Sequence, residues 1–412
     1  MGILSQPVGA IAEWLRNLLL GWGLSPGLTT VLLYLIGAGV LATLVQTWVI
    51  FLIWYERKII GRFQDRLGPN RVGPYGLLQP FADFIKIMTK EVIIPEGADK
   101  PIYILGPIVM DAGVLMLWAV IPLMPMVGMD INVAALYTIA VGAFATLGIL
   151  MSGWASNNKF ALVSAIRTVA QMISYEVPTV LALLVPVLLA GTMSLQGIVE
   201  AQHVWYIVAA PLAFLIYFIS SVAEVGRTPF DLLEAESEIV AGFHIEYSGM
   251  VFAIFYVGDF LHAFTIGALA AVLFLGGWRG PGAEAFPLLG LLYLWIKAFA
   301  VYFLVVWARG SLPRVRIDQM MNFSWKFLTP LALVLLVLTA VLDYFVAGWG
   351  AWGQALSHLV MNLVVGWLVL RYLQAWEKAR AARRPVVAQP GQYPVARPPR
   401  PAVAETSTEA AS

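Results

Sequence analysis

Cysteine is absent from the chain, so it can form no disulfide, no thiolate-held iron–sulfur cluster and no cysteine-ligated zinc or haem. Any redox centre it serves must be a diffusible molecule or belong to another chain. Charge is scarce too: Asp, Glu, Lys and Arg make up 12% of 412 residues. Neither sign dominates, because 25 basic and 24 acidic side chains leave a net charge of +1. A polyanion such as nucleic acid is therefore not an expected partner. Metal-ligand spacing of the HExxH kind is missing, as are a phosphate-cradling glycine loop and a serine–histidine nucleophile motif. The four histidines, His203, His244, His262 and His358, suggest no pair on facing helices, so no metal or haem is assigned. What remains is apolar. Hydrophobic residues make up 60% of the chain, mean hydropathy is +0.82, and runs of twenty or more apolar residues recur. Such a composition describes an all-α polytopic membrane protein.

With about 20 apolar residues as the length of a span, nine spans are expected, near 28–54, 102–127, 133–153, 160–190, 204–224, 247–275, 285–308, 327–347 and 353–376. An odd number places the two termini on opposite sides. All but three of the 25 Lys and Arg residues fall on one side, the exceptions being Arg16, Arg279 and, inside a span, Lys297. That bias makes the basic side cytoplasmic and the N-terminus external. Residues 1–27 read as an external interfacial segment rather than a cleaved signal, since they carry Glu13 and Arg16 and no basic leader. Residues 28–376 form the membrane domain, with cytoplasmic loops at 55–100, 225–246 and 309–326. The Pro-, Ala- and Arg-rich stretch 377–412 reads as a disordered cytoplasmic tail. In the first loop, Leu77, Phe81, Phe84, Ile85 and Met88 share one helical face. That pattern predicts an amphipathic helix on the membrane surface, either a simple anchor or the rim of an opening for a lipid-soluble molecule.

Ionisable side chains inside apolar spans are costly and therefore candidate functional groups. Glu176 lies nine residues past Arg167, roughly 13 Å deeper along its helix. Pro178 cannot donate to the carbonyl of Ser174, which leaves Glu176 a polar neighbourhood. Lys297 falls near the middle of the seventh span, Asp111 and Asp259 in the inner halves of the second and sixth, and Glu56 at the end of the first. Lys297 and one of these acids form either a structural ion pair or part of a file of alternating acids and bases that passes protons.

The densest charge lies in "AEVGRTPFDLLEAESEIVAGFHIEY", which carries Glu224, Asp231, Glu234, Glu236, Glu238 and Glu246 around Arg227. Thr228 followed by Pro229 predicts a helix start. On that helix Asp231, Glu234 and Glu238 would share a face, with Glu236 turned away. The stretch is either a solvated acidic loop or, given apolar Leu232, Leu233, Ile239, Val240 and Phe243 between the acids, a half-buried set of carboxylates that titrate together.

Four segments carry a resemblance: "ERKIIGRFQDRLGPNRVGPYGLLQPFADFIKIMTKE", "SYEVP", "AEVGRTPFDLLEAESEIVAGFHIEYSGM" and "LPRVRIDQMM". Together, over nearly everything from Leu28 to about Leu373, the chain resembles the quinone-channel subunit of proton-pumping NADH:quinone oxidoreductase, respiratory complex I. The resemblance implies a multi-pass protein of a bacterial cell membrane that forms a quinone channel and couples quinone reduction to proton translocation. It implies no complete active site in this chain alone. Quinone, ubiquinone or menaquinone, would be the substrate, with no metal, haem, flavin or iron–sulfur cluster bound here. The partners implied are peripheral quinone-site and iron–sulfur subunits, together with antiporter-like or small membrane subunits. Carried over by position, Glu56, Arg57, Arg62 and Asp83 would line or neighbour the channel, which quinone would enter past the amphipathic helix bearing Phe81. Glu176, Glu224, Asp231, Glu234, Glu236, Glu238 and Glu246 would form the acidic file, joined by the embedded Asp259 and Lys297. Arg167, Arg227, Arg309, Arg314 and Arg316 would counter it.

The chain departs from the family pattern at Val315 and Ile317, where aromatics are usual, and at Val251, where a base is common. Asp259 stands where glutamate often does. A related hydrogenase-type membrane component shares much of this pattern. A secondary transporter would be marked by inverted repeats and paired broken helices, which the sequence does not display. A pure scaffold would have little use for so many embedded charges.

Overall fold

The computed structural model describes residues 7–124, 130–233 and 240–382. Its helices in chain order are α1 (Pro7–Gly21), α2 (Pro26–Phe63), α3 (Gln79–Met88), α4 (Lys100–Leu117), α5 (Ala134–Ala155), α6 (Lys159–Ala190) and α7 (Leu195–Ala201). They continue with α8 (Tyr206–Ala209), α9 (Pro211–Glu224), α10 (Gly249–Phe274), α11 (Pro287–Ser311), α12 (Ile317–Phe323), α13 (Thr329–Val346) and α14 (Ala351–Ala382). Among the described residues, eight helical stretches are long and apolar enough to cross a membrane, with α12 and α13 counted as one through a π-helical turn at Ser324–Leu328. The chain is a multi-pass helical membrane protein.

The fifth expected span, 204–224, is not continuous. Ala210 leaves helical geometry (φ −130°, ψ 61°) immediately before Pro211, and α9 that follows has 14 residues. Proline offers no N–H and disfavours helical backbone in the residue before it, so the apolar run is interrupted where a hydropathy count sees none. The tail boundary also moves, because α14 carries helix to Ala382 and only residues from 383 lie outside the described part. Packing divides the chain into two units, Met1–Leu363 and Val364–Ser412.

In the first unit, α10 is the central helix: 89% of its apolar window is buried, whereas the window of α2 is 11% buried. Around it pack α2, α4, α9 and α11. Without a water-driven hydrophobic effect between helices in lipid, close approach of small residues supplies the packing. The α4–α5 contact is the tightest example. A Cβ on Gly148 would lie 2.6 Å from the backbone N of Met110 and 2.7 Å from the carbonyl oxygen of Gly106. Neither is the end of a flexible side chain, so the helices themselves would have to part. Gly148→Ala is therefore expected to lower the thermal midpoint of the detergent-solubilised protein, at an overpacking cost of about 1–3 kcal/mol. An unchanged midpoint would refute this packing.

Two prolines lie inside α6, Pro178 and Pro186. The Ser174 carbonyl that Pro178 releases does not serve Glu176. It accepts a hydrogen bond from Ser324 Oγ (2.5 Å), while Trp325 Nε1 donates to Ser174 Oγ (3.1 Å). The irregularity in α6 is thus matched to the π-turn that precedes α13.

Candidate functional site

Charged groups from four elements meet where α2 and α11 end and α9 gives way to a loop. Gly226, with φ at +67°, turns the chain out of α9, and the Arg227 amide donates back to the Val222 carbonyl (3.2 Å). This closure delivers the Arg227 side chain into the bundle, where the residue is 5% exposed. Its Nη2 lies 2.6 Å from Asp259 Oδ2 on α10 and its Nη1 3.6 Å from Glu56 Oε1 on α2. Its guanidinium carbon sits 4.6 Å from the centre of the Phe260 ring. Glu56, 3% exposed, also pairs with Arg309 of α11 and accepts from the Tyr302 hydroxyl (2.8 Å). Two carboxylates thus face two guanidiniums. A buried set of this kind survives desolvation only when each charge is matched and hydrogen-bonded.

A cleft lies against this cluster, with about 510 Å³ of empty space counting its open mouth. Arg227, Asp231, Asp259 and Arg309 bring charge to its lining, and Phe252 and Phe255 bring apolar wall. Polar groups that converge in a mostly apolar concavity are the usual form of a small-molecule site.

Outside the cluster, α3 is tied to α2. Asp83 bonds Arg57 at 2.7 Å, accepts from Gln79 Nε2 at 3.3 Å and lies 3.8 Å from Lys86 Nζ. Partial burial pushes the Asp83 carboxyl upward, but the Arg57 hydrogen bond and charge outweigh it and hold the group below the usual carboxylate range. The Tyr256 hydroxyl of α10 rests against Arg57. Phe81 is 47% exposed on α3, and Arg62 is exposed near the end of α2. Of the channel residues expected from the sequence, Arg57 and Asp83 are paired and Glu56 lies in the buried cluster, while Arg62 and Phe81 are exposed.

The acidic file is gathered in part. Glu176 on α6 lies close enough to Glu224 at the end of α9 for its charge to act there. Glu224 also faces α5, where a Cβ on Gly142 would come 3.7 Å from its Oε1. Glu246 accepts from Asn158 Nδ2 (2.6 Å), the residue that caps α6. Asp231 lines the cleft. Glu234, Glu236 and Glu238 lie outside the described residues. Arg167 and Arg314 are half-buried, and Arg316 is exposed. Lys297 stands elsewhere: its Nζ donates to the carbonyls of Gly277 and Arg279, 2.8 Å each, and lies 5.3 Å from the centre of the Trp205 ring. Among the described residues it has no carboxylate partner.

The helix expected from Thr228–Pro229 does not begin there. Residues 227–233 run as turns and irregular chain. Their backbone is engaged by distant groups: Gln171 Nε2 donates to the carbonyls of Ala223 (2.6 Å) and Phe230 (2.7 Å), and the Val315 amide donates to the Pro229 carbonyl (3.0 Å). Tertiary partners thus displace the local capping signal. At the far end of this loop Tyr247 stacks on Tyr103, 4.0 Å between ring centres, and the Tyr103 hydroxyl donates to the Glu246 carbonyl (2.7 Å).

Sequence reasoning passed over Tyr302, Tyr256, Phe260 and Gln171. Tyr302, Tyr256 and Gln171 each carry a usable signal, a hydrogen-bonding group inside an apolar span; Phe260 carries none. Among the described residues no group of three or more His, Asp or Glu is placed to hold a metal.

A helical membrane bundle with matched charges buried beside a cleft at one end defines an integral membrane protein built around an internal polar site. By sequence, the chain belongs to the NADH dehydrogenase family, whose family model matches residues 36–340. It is 51% identical to the H subunit of NADH-quinone oxidoreductase from Dehalococcoides mccartyi strain CBDB1 over 294 residues, 71% of this chain and 82% of that protein. It is 48% identical to the corresponding protein of Geobacillus kaustophilus strain HTA426, likewise an NADH-quinone oxidoreductase H subunit, over 332 residues, 80% and 97% of the two chains. The figures for the H subunit of Brevibacillus brevis strain 47 are 46% over 322 residues, 77% and 95%.

Proposed function

We propose that this chain is the membrane subunit of an NADH:quinone oxidoreductase that forms the quinone channel and links quinone reduction to proton translocation. The observation that carries the reading is the matched cluster of Glu56, Arg227, Asp259 and Arg309 against the cleft. Quinone, ubiquinone or menaquinone, is the substrate, and its reduction to quinol takes two electrons and two protons. Partner subunits supply the electrons, since this chain has no cysteine for an iron–sulfur centre. Peripheral subunits on the cytoplasmic side and antiporter-like or small membrane subunits complete the assembly. The chain would lie in a bacterial cell membrane, N-terminus external and C-terminus cytoplasmic, with the interrupted stretch 204–224 crossing as the broken pair α8 and α9.

The residues divide the work. The exposed apolar face of α3, with Phe81, Phe84 and Ile85, guides a lipid-soluble ring and tail from the bilayer. Arg57, Asp83 and Tyr256 form the polar collar inside it. Negative charge arriving on a nearby quinone shifts the balance at Arg227 and Arg309, and the adjacent acids of Glu176 and Glu224 take up or pass protons in answer.

The test of the channel is Phe81→Arg in the intact assembly, with a membrane-soluble quinone as acceptor. A cation on the apolar face of α3 is expected to raise the KM for quinone several-fold at nearly constant kcat. An unchanged KM would count against the channel.

A further inference from the structure

One buried carboxyl group has no place in the cluster or in the acidic file. Asp111 is the twelfth residue of α4 and is 8% exposed. Gln46 Nε2 donates to its Oδ2 at 2.6 Å. Its Oδ1 has no hydrogen-bond partner among the described residues and faces Gly258 of α10, where a Cβ would come within 3.5 Å of it. Gln46 precedes Glu56 by ten residues on α2, which sets this site about 15 Å further along the helix, toward the middle of the bilayer. Both flanks lead back to the cluster. Met110, the residue before Asp111, lines the cleft, and Asp259, the residue after Gly258, pairs with Arg227.

An ionised carboxylate at this depth would have one amide donor and no cation bonded to it, which is a costly arrangement. As a carboxylic acid the group fits: Oδ2 is the carbonyl oxygen that accepts from Gln46, and Oδ1 carries the proton. The side chain opposite Oδ1 is the hydrogen of a glycine, so the proton faces a gap in the α10 surface where a Cβ would come 3.5 Å from Oδ1. Gln46, partly buried, adds a second polar group in mid-span, and its amide holds the carboxyl in this orientation.

We propose that Asp111 is a proton-exchanging group, an inward branch of the path that begins at the Glu56, Arg227 and Asp259 cluster, with Gln46 as its positioning residue. The inference rests on the coupling role proposed above. The step is one proton gained or lost at Oδ1, exchanged with Asp259 or with water in the gap at Gly258. No other bond changes.

The test is redox-induced infrared difference spectroscopy of the intact assembly purified from its native membrane, with NADH and a short-chain quinone as probes. Proton gain or loss at Asp111 should give a one-signed band in the carboxylic-acid C=O region, lost in Asp111→Asn. Gln46→Leu removes the hydrogen bond to that carbonyl oxygen and should move the band to higher wavenumber, a shift that a merely structural acid would not tie to turnover. Gly258→Ala, which places its Cβ in ordinary contact with Oδ1, should reduce the band's amplitude. The Gln46→Leu shift decides the matter if Asp111→Asn fails to assemble. An assembly that reduces quinone with no band dependent on Asp111 or Gln46 overturns this inference and leaves the proposed function standing. An unmodified assembly that reduces no quinone overturns both.

Discussion

Arg227→Ala is expected to be the most damaging single substitution in the chain. The guanidinium is almost fully enclosed, lies between Asp259 and Glu56, and is backed by the Phe260 ring. Its removal leaves the Asp259 carboxylate in a protein interior without this cation, while Glu56 keeps Arg309 and Tyr302. Breaking a buried pair from one side costs about 3–5 kcal/mol, because the surviving charge is not resolvated. A loss of that size is a large share of the stability of any domain. The variant should therefore show a sharply lowered thermal midpoint and at least a tenfold fall in quinone reduction by the assembled complex. Adding Asp259→Asn should restore part of the stability, since it removes the carboxylate that faces Arg227, and the two changes should fall short of additivity. Equal stability of Arg227→Ala and the unmodified protein would mean that the cluster is wet in the membrane and the pairing unimportant.

The pairing also shows what a linear reading of the chain could not reach. Glu56 and Asp259 are legible as charges that interrupt apolar runs, because a charged residue inside such a run is visible in the sequence itself. Their partner Arg227 comes from a loop, and its delivery depends on the left-handed turn at Gly226 and on the hydrogen bond of its amide to Val222. Local capping at Thr228–Pro229 points to the start of a helix, yet Gln171 and Val315 claim the carbonyls of Phe230 and Pro229. Nothing in the local sequence reports a donor 59 residues away. Most membrane helices are legible to within a few residues because hydrophobic length is a local property, although the expected 28–54 and 102–127 miss the ends of α2 at Phe63 and α4 at Leu117. The one that failed, 204–224, failed at Pro211, a residue whose effect is local as well and which the hydropathy average had smoothed over. Lys297 illustrates the opposite error: a lone cation in mid-span invites a carboxylate partner, but two loop carbonyls satisfy it as well.

Glu176→Gln is expected to uncouple more than it disables. Glu176 and Glu224 sit on the packed helices α6 and α9, near enough to interact electrostatically, and neither has a basic partner among the hydrogen bonds and ion pairs of the described residues. Two carboxyl groups in that relation hold protons as a pair, so charge gained by one is felt by the other. Glutamine preserves the shape of Glu176 and removes its proton chemistry. In membranes, proton-coupled quinone reduction should fall severalfold, while reduction of a water-soluble acceptor by the peripheral subunits stays near its unmodified rate. Glu224→Gln should produce the same pattern, and the double variant should be little worse than either single one, as expected when two groups act in one step. If all three variants retain proton-coupled quinone reduction at the unmodified rate, the pair serves only to pack α6 against α9. Additive losses would instead mean that the two acids lie on separate routes, and the cluster at Glu56 would then have to reach each of them independently.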